Sequence, residues 1–156
     1  MSRDGLAIYL NDHLAGSVGA VELAERMIEQ NEGTAVARTL AEVLAEIREE
    51  QQVLRDLIAA LDSREHPIKQ AGAWLAEKAA RVKLGDTGGA ALARMEALES
   101  LAVGIQGKIA LWRALQRVAG GHPALAGLDL VKLERQAREQ FERVEERRLE
   151  AAAEAL

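Results

Sequence analysis

Cysteine is absent from the 156 residues, which removes disulfides, thiolate metal sites and thiol nucleophiles from consideration. Aromatic residues are only 3% of the chain, so any interior must be filled by leucine, alanine, valine and isoleucine. β-branched runs bounded by turns are missing, which leaves strands no foothold. No apolar stretch reaches the roughly 18 residues that a membrane span needs. The opening Met1-Ser2-Arg3-Asp4-Gly5 leads into no uninterrupted apolar segment, so no secretory signal is expected. With the lack of cysteine, this points to a cytoplasmic setting. The formal net charge is −5, a mild acidic balance that argues against a nucleic-acid partner held by a broad basic face.

What is present is helical. Hydrophobic residues make up 49%, and alanine, leucine, glutamate and arginine, all good helix formers, dominate. A chain of this length buries about 70% of its unfolded surface and can fold alone, so a single helical-bundle domain over 1–156 is expected. The first helix spans about residues 5–31, from an Asp4 cap to a Gly33 stop. Thr34 caps a second over about 35–61, where Leu40, Val43, Leu44, Ile47, Leu54 and Leu57 fall on one face. The break at His66-Pro67 introduces a shorter helix over about 67–84. Long helices then span about 90–119 and, after an Asp129 cap, about 129–155, with a loop around Gly120-Gly121-His122-Pro123 between them. The last carries a stripe of Leu130, Leu133, Ala137, Phe141 and Val144, then Leu149 after an irregular step.

The four long helices have similar length, roughly 40 Å at 1.5 Å per residue. The tight join at Gly33 makes the first two an antiparallel hairpin, and the last two form a second. Residues 62–89 are long enough to run the length of the bundle between the hairpins. This all-α order of hairpin, crossover with a short fifth helix, and hairpin resembles the ferritin-like four-helix bundle. The resemblance covers nearly the whole chain and is one of organisation. A simple up-down bundle that includes the short helix is the rival.

Ferritin-like metal enzymes place a Glu and a Glu-x-x-His on paired helices, because positions i and i+3 reach the same ion. The three histidines, His13, His66 and His122, follow Leu10, Ser63 and Ala119 at that spacing, so no such motif exists. Glu22/Glu25, Glu46/Glu49, Glu96/Glu99 and Glu142/Glu145 offer a carboxylate pair on each long helix. With 19 glutamates in the chain, such pairs arise readily, and they do not share a level. They are expected on solvated faces, with no metal ligand, catalytic residue or cofactor assigned.

Four polar residues fall on or beside apolar stripes: His13, Glu50, Gln106 and Lys108. They form the candidate polar core, and if interior they must pair with one another, because a lone buried charge costs several kcal/mol. Small residues are a second signal: Gly16, Gly19 and Ala20 on the first helix, and Gly104 and Gly107 on the third long one. They imply either close helix packing or room for a ligand. Residues 129–156 alternate charge, and the stretch from Ala151 offers little to a core. It is expected to project and support self-association. The favoured reading is a non-enzymatic structural or protein-interaction module. The alternatives are a carboxylate-based iron or manganese oxidase or storage protein using His13, and a small-ligand binder using the glycine-lined middle.

Overall fold

The computed structural model describes residues 3–61 and 89–156. The expected short helix over 67–84 lies outside the described residues. Among the described residues there are four long helices, two short 3-10 turns and no strand. Helix α1 is Arg3–Gln30, α2 is Ala35–Ala60, α3 is Ala90–Val118 and α4 is Leu130–Ala155. None is long and apolar enough to cross a membrane. Asp4, expected to cap α1, lies within it.

The α1–α2 turn shows how a few residues set the hairpin. Gly33 adopts φ +79°, a left-handed conformation that a side chain would strain. Thr34 then caps α2 in both directions. Its Oγ1 donates to the Asn31 carbonyl at 2.6 Å and accepts from the Ala37 N–H at 3.3 Å. Asp129 does the same work for α4, accepting from the Lys132 N–H at 3.0 Å. Turns at Ala119–Gly121 and Pro123–Leu125 join α3 to α4.

Among the described residues, α1 packs on α2 and α3, and α4 packs on α3 and α2. Their directions follow from contacts near the ends. Arg94, early in α3, donates to Asn31 at the end of α1 (2.9 Å) and to Glu154 at the end of α4 (3.0 Å). At the other end, Gln116 of α3 meets Glu134 of α4 at 3.1 Å. Arg147, late in α4, reaches Thr39, early in α2, at 3.2 Å. Every neighbouring pair is therefore antiparallel, and α2 and α3, across the diagonal, run the same way. Accordingly, α2 ends at one end of the bundle and α3 begins at the other.

The core is aliphatic, with Leu10, Leu23, Met27, Leu40 and Leu98 among the fully buried residues, and Trp112 the largest of them. On α4 the stripe departs from expectation: Leu149 is 54% exposed. Leu130, Ala137 and Val144 are buried as expected, and Ala151 takes the next place in a step of seven that leaves Leu149 on the outer face. The end of α4 also differs. Ala151 is buried and Glu154 is held by Arg94, so the helix stays docked on the bundle to its last turn and does not project.

Candidate functional site

The heptad pattern of three helices explains what sits at the bundle centre. On α2, Leu40, Ile47 and Leu54 recur every seven residues, with Val43, Glu50 and Leu57 three positions later. On α3 the matching sets are Leu98, Ile105, Trp112 and Leu101, Lys108, Leu115. On α4 the second set is Leu133, Gln140, Arg147. Both sets face inward in a bundle, so Glu50, Lys108 and Gln140 are polar residues at core positions. The antiparallel packing brings them to one level.

There they close a triangle. Lys108 Nζ donates to Glu50 Oε2 and to Gln140 Oε1, and Gln140 Nε2 donates to Glu50 Oε1 at 3.0 Å. The Lys108 and Glu50 side chains are 15% and 4% exposed, and Gln140 is fully buried. Burial pushes the Glu50 carboxyl up and the Lys108 ammonium down, and each opposes the drift of the other. Beside them Arg143 of α4 pairs with Glu46 of α2. Across α1 and α2, Gln51 donates to Ser17 Oγ at 2.9 Å, and Ser17 in turn donates to the Leu14 carbonyl.

At this level α1 contributes small residues, Gly16, Ser17 and Ala20, where the other helices contribute long ones. The result is a cavity of about 400 Å³ between α1, α2 and α3. Its walls are mostly apolar, including Ile47, Leu54, Leu101 and Ile105, with Glu50 and Lys108 among the polar groups. A Cβ on Gly16 would meet none of the described residues within 4 Å, so close packing against them is not the reason for its small size. The Trp112 indole also lines the cavity, and its buried Nε1–H has no acceptor among the described residues.

The expected polar residues divide. Glu50 and Lys108 are joined directly. His13 lines the same cavity, half-buried, edge-on to the Tyr9 ring with centroids 4.7 Å apart. Burial lowers its imidazole pKa against the opposing pull of Asp12. Gln106 does not belong to this set: it is exposed, one position and about 100° round the helix from buried Ile105. Gln140 takes the amide role instead, and the seven-residue step on α4 was the signal for it.

One carboxylate of each pair on the four helices faces an arginine. Glu25 pairs with Arg48, Glu46 with Arg143, and Glu99 and Glu145 with Arg148. Among the described residues, no three His, Cys, Asp or Glu side chains gather where they could hold a metal ion. His122 sits between the two 3-10 turns, away from the centre, and His66 lies outside the described residues. Comparisons with protein-family models, with curated proteins and with solved structures gave no match.

Proposed function

We propose that this chain is a non-enzymatic, ferritin-like helical bundle acting as a structural or protein-interaction module, with its centre closed by an ion pair instead of a metal. The Glu50–Lys108–Gln140 triangle carries this reading. An ammonium already neutralises the central carboxylate and occupies the space beside it, and a divalent cation placed there would be repelled by Lys108. The parallel run of α2 and α3 at opposite corners supports the hairpin–crossover–hairpin organisation of the ferritin-like bundle. A cytoplasmic protein that self-associates completes the proposal.

Elemental analysis of protein purified without chelators tests it. Substoichiometric iron, manganese and zinc is the expected result. One equivalent of iron or manganese lost in Glu50→Gln overturns the reading in favour of a metal protein. Light scattering tests self-association, where a strict monomer at all concentrations removes that part.

The cavity favours a second reading, a small-ligand-binding bundle. Its volume falls within the range of known ligand pockets, and its mix of apolar wall and few polar groups matches their chemistry. Naphthalene uptake detected by NMR and lost in Gly16→Leu would support it; no uptake would count against it.

A further inference from the structure

The outer face of α4 carries a pattern that the bundle itself does not use. Val131 and Leu149, large hydrophobic side chains of this helix, stay 63% and 54% exposed. They stand 18 residues apart, five whole turns at 3.6 residues per turn, so they share one line along the helix. Between them, within about 60° of that line, lie the exposed residues Arg135, Arg138, Glu142 and Glu146. The charges are sorted: the arginines stand towards Val131 and the glutamates towards Leu149. Midway is Gln140, which points the opposite way, into the core. Arg135, Glu142 and Glu146 form no ion pair among the described residues, and Arg138 meets Glu134 at 2.9 Å yet stays 51% exposed. The flanking carboxylates, Glu134 and Glu145, already have arginine partners in Arg138 and Arg148.

We propose that two copies of this chain pair through this face, α4 against α4 and antiparallel, about a twofold axis at the level of Gln140. The proposal rests on the self-association reading above and names its surface. Charge selects the partner and the direction. In an antiparallel pair, positions equally far from Gln140 on either side lie opposite each other. Val131 then faces Leu149 of the second copy, Arg138 faces its Glu142, and Arg135 falls beside its Glu146. The twofold axis repeats each contact, so one face serves both copies. A parallel pair would set arginine on arginine and glutamate on glutamate, which repel. The strip is about 27 Å long at 1.5 Å per residue. Its exposed ion pairs contribute little each, so the dimer is small, weak and sensitive to salt.

Sedimentation velocity of the full chain at rising concentration, in low and high salt, tests it. A dimer is expected whose dissociation constant rises at least about tenfold between about 0.05 M and about 0.5 M sodium chloride. Arg135→Glu/Arg138→Glu and Glu142→Arg/Glu146→Arg each give the face a single sign. Each should be monomeric where the parent is dimeric. Mixed one to one, the two variants should pair again, a rescue that misfolding would not give. Cysteine crosslinking reads the direction, since the native chain has no cysteine. Oxidising Val131→Cys mixed with Leu149→Cys should give a crosslinked dimer. Either variant alone should give none, because its two thiols would lie at opposite ends of the strip. These substitutions sit at exposed positions and decide the matter if a charge variant fails to fold. A dimer that both charge variants keep, or Leu149→Cys crosslinking to itself, overturns this face and leaves self-association standing. A strict monomer at every concentration in low salt overturns both.

Discussion

Replacing Lys108 with methionine keeps the length of the side chain and removes its charge. Glu50, 4% exposed, is then left with the Gln140 amide as its one partner among the described residues. Breaking a buried pair from one side typically costs about 3–5 kcal/mol. For a domain of this size each kcal/mol lowers the melting temperature by about 2–4 °C, so the drop is roughly 6–20 °C at pH 7. The pH dependence identifies the cause. Burial already raises the Glu50 carboxyl above its ordinary value, and Lys108 opposes the rise. Without Lys108 the carboxyl rises further. Between the ordinary carboxylate pKa and that raised one, the folded state holds a proton that the unfolded chain has released. Stability therefore grows as the pH falls through this window and shrinks as it rises. Acidification from pH 7 towards 5 should recover much of the loss in Lys108→Met. The double variant Glu50→Gln/Lys108→Met removes both charges and should come within about 1 kcal/mol of the parent, or exceed it. Thermal and urea unfolding by circular dichroism across pH measures all three proteins. A Lys108→Met loss below 1 kcal/mol, or one that deepens on acidification, refutes the reasoning.

Other expectations concern the frame. Thr34→Ala and Asp129→Ala each remove a helix cap and should cost about 1 kcal/mol in urea unfolding. Gly107→Ala places a Cβ within 4 Å of none of the described residues and should stabilise α3 by up to about 1 kcal/mol, whereas Gly33→Ala, at positive φ, should destabilise. Leu98→Ala, at a fully buried position, should cost about 2–5 kcal/mol by the same measurement.

Helix ends were legible because their punctuation is local. Gly33, Thr34 and Asp129 act within four residues of themselves, and the long helices stop close to where those residues place them. Glu50 and Lys108 were legible as polar residues on apolar stripes, but their pairing depends on which helices are neighbours and in which direction they run. That is a property of the assembled ring and not of any one helix. A stripe through Phe141 hides Gln140, its neighbour on α4. A strict step of seven from Leu133 places Gln140 inside, and the step from Leu130 through Ala137 and Val144 to Ala151 leaves Leu149 outside. Gln106 was included because it neighbours Ile105, yet adjacent helical residues face different ways. The tail's small and charged residues suggest a projecting end. Ala151 fits the core by being small, and Glu154 is held by Arg94. The glycines announced space without saying what fills it, since packing and vacancy call for the same residue type.

The most direct measurement is a crystal structure of the protein grown in excess manganese, with anomalous scattering recorded at the metal's absorption edge. The account expects no anomalous peak at the bundle centre, and density for the Lys108 ammonium bridging Glu50 and Gln140. A manganese ion bound by Glu50, with Lys108 turned away, would contradict it.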